Sequence, residues 1–260
     1  MLRTAFLGLV LSLAGFYTQA YETQQTWLDT NFVEKAFINV ALRNEYSAGS
    51  KPLTKWQQPV KIWVEHKVAD QDLHDELTNA HLRHLQQITG HPIQRVHSRS
   101  EANIVWIFTR EAVWRDDIEQ ELGKHALNNV YGAICKAGYR IARDGSLAHA
   151  AIVIPVDQAR EHGKLLACIV EEVTQVLGLP NDSESAFPSI FNDETPEDLL
   201  SPLDVVLLKL LYEPELKAGM NELQVKPILR QLLSRYKKDG TLKRAVSTAR
   251  QGELFQLIGY

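Results

Sequence analysis

Two adjacent glutamates in the second half of the chain are the strongest candidates for chemistry. Glu171 and Glu172 lie in a segment with helical periodicity, and Gln175, Asn181 and Asp182 follow shortly after them. Paired carboxylates can act as general acid and general base, and a shared cleft often perturbs their pKa values. Carboxylate and amide oxygens also suit a hard cation such as calcium. The segment therefore predicts an acid–base pair, a cation site or a hydrogen-bonded polar network.

The helix predicted around these glutamates has one polar and one apolar face. At about 100° per residue, Glu171 and Gln175 share a face with Cys168, and Glu172 lies at its border. The opposite face carries Leu166, Ile169, Val170, Val173, Val176 and Leu177. The simplest interpretation is a core helix with a solvated polar face. The alternative is that the polar face lines a functional cleft.

The spacing of the polar residues favours the alternative, because it resembles the active-site helix of metzincin metallopeptidases. The motif of the matrixins in that group reads H-E-x-x-H-x-L-G-L-x-H-S, and residues 177–179 (LGL) match its centre. The resemblance places Glu171, Gln175 and Asn181 at the three zinc-histidine positions. It places Glu172 at the position of the general base. All three zinc histidines are therefore replaced in this sequence.

Further residues extend this resemblance to structural positions. Residues 200–204 (LSPLD) and 211–212 (LY) are similar to the segment that packs behind the matrixin site. The resemblance implies structural roles for Asp204 and Tyr212. It also implies that Gly178 turns the chain after the helix. The methionine of the matrixin turn is absent.

The chain beyond its first 20 residues is also similar to a family of exported bacterial proteins, a domain of unknown function grouped with the zincin-like peptidases. The residues behind this similarity are Glu45-Tyr46, Lys55-Trp56, the segment 171–182, residues 211–214 and Gly219-Met220. The similarity implies an α+β, zincin-like fold, in which a mixed sheet and an active-site helix are followed by a mainly helical C-terminal lobe.

Loss of the histidines changes the expected metal chemistry. Catalytic zinc is held by neutral imidazoles at about 2.0–2.1 Å and acidifies a bound water. Glu171, Gln175 and Asn181 offer only oxygen ligands, which are weak for zinc and better for calcium if further oxygens join. We therefore expect no cofactor. The alternative is a divalent cation, calcium or zinc, at these three residues.

Three functions remain open from the sequence. The first is a pseudopeptidase that binds a peptide or a cell-envelope protein in a zincin-type cleft, along an edge strand near residues 131–139. The second is a hydrolase or peptidase with a non-standard oxygen-ligand metal site and Glu172 as general base. The third is a structural or assembly factor of the cell envelope. The first, non-enzymatic function is favoured.

The N-terminus predicts export. Arg3, an apolar run over residues 5–16 and a small-residue exit at Ala20 are typical of a cleavable signal peptide over residues 1–20. We expect residues 21–260 to form one domain, with an α+β lobe to residue 178 and a helical lobe from residue 179. The periplasm is the expected compartment, with full secretion as the alternative. The net charge of −4 predicts no nucleic-acid partner, and no later segment predicts stable membrane insertion.

Two cysteines bear on the same question. An exported protein meets an oxidising environment, which favours a disulfide between Cys135 and Cys168. Two buried free thiols, or a role for Cys168 in the site, are the alternatives. His74, His81 and His84 lie on one side of another predicted helix, but no third ligand of fixed geometry completes a metal site there.

Apolar periodicity predicts the elements that must position these residues. Helices are expected over residues 26–46, 70–88, 111–122, 158–177, 202–212 and 225–237. Strands are expected over residues 60–64, 93–96, 104–108, 131–141 and 149–156.

Overall fold

The computed structural model describes residues 25–43, 49–192, 194 and 197–258, without the side chain of residue 129. Within these residues the chain has a mixed α+β fold with a five-stranded sheet and nine α-helices. The predicted signal peptide lies outside the described residues. None of the described helices combines the length and the apolar character that a membrane crossing requires.

The bounds of the elements follow the chain. The strands are β1 (Val60–His66), β2 (Ile93–Arg95), β3 (Ile104–Thr109), β4 (Lys136–Ile141) and β5 (Leu147–Pro155). The helices are α1 (Thr30–Leu42), α2 (Gln71–Thr89), α3 (Glu111–Leu122), α4 (Val156–Glu161), α5 (Leu165–Gln175), α6 (Pro202–Tyr212), α7 (Glu222–Lys238), α8 (Thr241–Arg250) and α9 (Glu253–Leu257).

The strand order in the sheet is β2-β1-β3-β5-β4. The first four strands in this order run parallel, and β4 runs antiparallel to β5 at one edge. Strand β3 is buried at every position, which agrees with its continuous apolar sequence. Strand β4 is only half-buried and its last two residues are exposed. Strand β4 is therefore one edge of the sheet that a ligand can reach, and β2 forms the opposite edge.

The two faces of the sheet pack against different helices. On one face, Trp106 and Ile152 belong to the main core, which also contains Val173 of α5 and Leu207 of α6. On the other face, Val153 packs in a second cluster with Trp114 and Ile118 of α3. The main core contains residues from both sides of Gly178. The division into two lobes at this glycine stays a prediction.

Most elements lie where periodicity places them, and three differ. The helix expected over residues 158–177 is wrong, because it is two helices, α4 and α5, separated at Gly163, whose φ is +66°. The first helix begins only at Thr30, because the Asp29 carboxylate accepts the Asn31 backbone N–H at 2.8 Å and caps it. Strand β4 begins at Lys136, five residues later than expected, and α8 and α9 were not predicted.

Candidate functional site

A cleft of about 630 Å³ lies between helix α5 and the edge strand β4. One wall is formed by residues 131–139 and the other by the polar face of α5, and residues 180, 182, 190, 192 and 197 also line the cleft. The acidic and amide side chains that line the cleft are Glu171, Glu172, Gln175, Asp182, Asn192 and Glu197. The polar face of α5 therefore lines a cavity, as expected if this face belongs to a cleft and not to a freely solvated surface.

Gln175 joins the helix to the segment that follows it. Its side-chain Nε2 donates to Glu171 Oε1 at 3.2 Å and to Asp182 Oδ1 at 3.1 Å. Glu171 and Gln175 are one helical turn apart, which brings their side chains together on one face. Because an amide nitrogen carries two hydrogens, these two contacts use its donor capacity. The three residues form a hydrogen-bonded network in the cleft.

Glu172 lies deeper than its neighbour. Its residue is 7% exposed, although its side chain lines the cleft. This position agrees with its place at the border between the polar and apolar faces of the predicted helix. A carboxylate at such a depth is costly unless polar groups surround it. Glu172 is thus buried and Glu171 half-buried, although both line the cleft.

Asn181 does not join the other predicted site residues. It is 5% exposed and its Nδ2 donates to the backbone carbonyls of Asn39 and Asp182, each at 2.9 Å. Its backbone N–H donates to the Val40 carbonyl at 3.2 Å. The residue therefore fastens the segment after α5 to the last turn of α1. Asp182 lines the cleft, whereas Asn181, which the motif places at the third ligand position, is not among the cleft-lining residues.

This arrangement does not fit a zinc ion. Asn181, at the third ligand position, is directed to α1, and the Gln175 amide is held between two carboxylates. Among the described residues, no group of three or more His, Cys, Asp or Glu side chains is placed to hold a metal ion. The cleft-lining acids Glu171, Glu172, Asp182 and Glu197 carry oxygens of the kind that a hard cation prefers, without forming such a group.

Gly178 makes the turn after α5 that its position in the motif implies. Its φ is +123°, and a β-carbon there would lie 2.2 Å from the Thr54 backbone oxygen. The carbonyls at the end of the helix are satisfied by side chains: Trp56 Nε1 donates to Val176 O at 2.8 Å, and Tyr212 Oη donates to Leu177 O at 2.9 Å. Only glycine fits this close approach, and it lets the chain return toward the cleft.

Asp204 supports the floor of the cleft from inside the protein. It is fully buried and accepts hydrogen bonds from Ser189 Oγ, from the backbone N–H of Ile190 and from that of Ser201. Burial raises the pKa of Asp204 to about 6, against the opposing effect of these donors. The segment 188–191 that it holds includes Ile190, which lines the cleft.

The predicted disulfide between Cys135 and Cys168 is confirmed. It joins the residue before β4 to the first turns of α5, so that it links the two walls of the cleft directly. The alternatives of free thiols and of a reactive Cys168 thiol are therefore wrong for the folded protein.

Residues 30–231 match a protein family described as a protein of unknown function, DUF2927. The chain belongs to the DUF2927 family. The matched range runs from the start of α1 into α7 and so contains both walls of the cleft, the disulfide and Asp204. No curated protein is significantly similar to the chain.

In this DUF2927 protein the histidines of α2 are core residues. His81 Nε2 lies 3.2 Å from both Val170 O and Thr174 Oγ1 of α5, and burial lowers its pKa to about 3. His84 Nε2 lies 2.8 Å from Thr248 O, and burial lowers its pKa too. His74 is buried and stacks on Phe108 at 4.6 Å between ring centroids. The three side chains pack between helices and the sheet, outside the cleft.

Some residues of the DUF2927 cleft were missed by sequence reasoning as individual candidates. Tyr131 is 97% exposed at the cleft, and Lys136 and Lys164 also line it. Burial raises the pKa of Glu197, with the nearby charge of Asp198 adding to the effect. A local sequence pattern does not reveal that these residues line one cleft, since they come from three separate segments.

Proposed function

We propose that this DUF2927 protein is an exported, zincin-like pseudopeptidase that holds an extended peptide segment in the cleft without cutting it. The observation that carries the proposal is the position of the cleft, which lies between the outer edge of β4 and the polar face of α5.

The edge strand supplies the means of binding. Among the described residues, strand β4 pairs only with β5, and it occupies the end of the strand order. The outer N–H and C=O groups of such a strand can pair with an extended chain that adds to the sheet. Tyr131 offers an exposed aromatic ring at the mouth, where an incoming segment would first make contact.

The polar residues of the cleft favour binding over hydrolysis. At the positions of the three zinc ligands, Glu171 and Gln175 contact each other and Asn181 is directed to α1. A zinc hydrolase requires three ligands that converge on one point and an open fourth position. Carboxylates and amides that hold one another are suited to hydrogen bonding with the polar groups of a peptide.

The zincin-like fold is part of the proposal. It is supported by a sheet with one antiparallel edge strand, by the turn at Gly178 (φ +123°) after the end of α5, and by Asp204, which fastens the segment 188–191. The resemblance to the matrixin motif assigns a turn to Gly178 and a structural role to Asp204.

The compartment and the partner follow from the same features. A disulfide between secondary-structure elements favours an oxidising compartment, so we place the protein in the periplasm, with secretion as the alternative. The partner is an extended segment of a peptide or of a cell-envelope protein. A structural role in the envelope that leaves the cleft unused is the competing function.

The proposal is tested by panning a random peptide library against the purified mature protein. We expect bound peptides to be recovered intact by mass spectrometry and to bind equally well with and without a metal chelator. The variant Tyr131→Ala should weaken binding, whereas the control Leu223→Ala should not, since Leu223 is 83% exposed and lies outside the cleft.

Two results would contradict the proposal. Peptide fragments that disappear with Glu172→Gln or with the chelator would establish the hydrolase instead. Failure of every library peptide to bind would favour the structural role in the envelope.

A further inference from the structure

Strand β4 separates the cleft from a second cavity on the opposite face of the sheet. This cavity measures about 420 Å³ and shares residues 136–139 of β4 with the cleft. Its other walls come from α3, from the turn after that helix and from β5. The polar residues that line this α3-side pocket are Gln120, Glu121, Lys136, Arg140 and His149.

The side chains of β4 alternate between the two cavities. Ala137 and Tyr139 pack against the main core on the α5 side. Gly138 faces the other way, because a β-carbon there would lie 3.0 Å from the Leu122 side chain of α3. Lys136 and Arg140 share its face, since side chains two residues apart in a strand point the same way. Both line the α3-side pocket, and Lys136 also borders the cleft.

The two cavities carry opposite charges. The α5 side presents Glu171, Glu172, Asp182 and Glu197 to the cleft, where Lys164 is already paired with Asp198. On the α3 side, Lys136 and Arg140 form no ion pair with any other described residue. The acid of that pocket, Glu121, is already paired with Arg99 and accepts a hydrogen bond from Gln120 at 3.2 Å.

His149 adds no charge of its own to the α3-side pocket. It stands opposite Arg140 in the β4–β5 ladder. Burial lowers its pKa, the Arg140 charge lowers it further, and Glu121 opposes the shift. The α3-side pocket therefore offers two uncompensated cations beside a neutral imidazole.

We infer that the α3-side pocket is a second subsite, which binds the acidic side chains of a segment paired with β4. This inference rests on the proposed function. In an extended segment, successive side chains point to opposite faces, and those on one face are about 6.6 Å apart. One set would enter the cleft beside Glu171 and Asp182, and the other would reach Lys136 and Arg140. The preferred ligand alternates acidic residues with basic or neutral polar ones.

The test compares two octapeptides of identical composition, each acetylated and amidated. One alternates lysine and glutamate, and the other carries four lysines followed by four glutamates. The net charge is equal, so only the order of residues differs. Binding to the mature protein is measured by fluorescence anisotropy. We expect the alternating peptide to bind about three- to tenfold more tightly, the effect of two partly exposed ion pairs on each face.

The double variant Lys136→Glu/Arg140→Glu should abolish this difference between the peptides. Its control is Lys237→Glu/Lys238→Glu, which makes the same change in charge on exposed residues of α7 and should preserve the difference.

Equal binding of both isomers, lost with Tyr131→Ala, would overturn the second subsite and leave the proposed function standing. The same conclusion follows if the isomers fail to bind while library peptides bind the cleft. Absence of binding by octapeptides and library peptides alike would overturn both.

Discussion

The disulfide links the two walls of the cleft, and its removal has a consequence that can be calculated. Cys135 and Cys168 are 33 residues apart in sequence. In the chain-entropy account, a cross-link of that span reduces the entropy of the unfolded chain and stabilises the folded state by about 3–4 kcal/mol. We therefore predict that Cys135→Ala/Cys168→Ala lowers the free energy of unfolding by this amount. For a chain of this size the melting temperature should fall by roughly 10 °C.

Urea unfolding followed by tryptophan fluorescence measures the effect, because Trp56, Trp106 and Trp114 are all buried. The wild-type protein is measured with and without a phosphine reductant, beside the double variant. We expect reduced wild-type protein to resemble the variant, which should itself be insensitive to reductant. This comparison separates the cross-link from the packing of the sulfur atoms, since Cys168 is only 2% exposed. A loss below about 1 kcal/mol for reduced wild-type protein would refute the entropic reasoning.

Three further predictions concern the supports of the cleft. Gly178→Ala should lower the free energy of unfolding by about 2–4 kcal/mol, because the new β-carbon would lie 2.2 Å from the Thr54 backbone oxygen. The control Gly90→Ala should lower it less, because Gly90 also has a positive φ but open space around it. Thermal unfolding measures both. The raised pKa of Asp204 means that its contribution to stability is present below pH 3.8 and lost as pH rises through about 6, so Asp204→Asn should remove that pH dependence from urea unfolding. His81 acts in the opposite sense, because its neutral form stabilises the fold above pH 6.5 and this contribution falls as pH drops toward about 3. His81→Gln should therefore make unfolding between pH 7 and 4 less sensitive to acid. An unchanged pH profile of stability in Asp204→Asn or in His81→Gln would contradict the role given to that residue.

The predictable features of the site are those set by local spacing. Glu171 and Gln175 are a helical turn apart, so their contact follows from the sequence once a helix is assumed. The place of Glu172 at the border of the polar face follows in the same way. The motif predicts a turn at Gly178. The close approach of the Thr54 backbone, which explains why a glycine is needed there, is visible only in the structure.

The features that local patterns miss depend on distant partners. Asn181 is directed by the Asn39 carbonyl, which is 142 residues away in sequence, and so leaves the ligand set that the motif suggested. The edge strand expected near residues 131–139 begins only at Lys136, and the strand order that puts it at the edge is not encoded by hydrophobic alternation. The break between α4 and α5 was missed because apolar periodicity continues across Gly163.

Backbone hydrogen exchange tests the central proposal most directly. The mature protein is labelled in deuterated buffer with and without a saturating peptide from the library, and exchange is read by NMR or by mass spectrometry. We predict that amides of β4 with no partner in β5 become protected, while amides of β2, at the opposite edge of the sheet, exchange at their former rate. Peptide binding that leaves β4 unchanged, or that protects β2 instead, would contradict pairing of the ligand with the cleft edge.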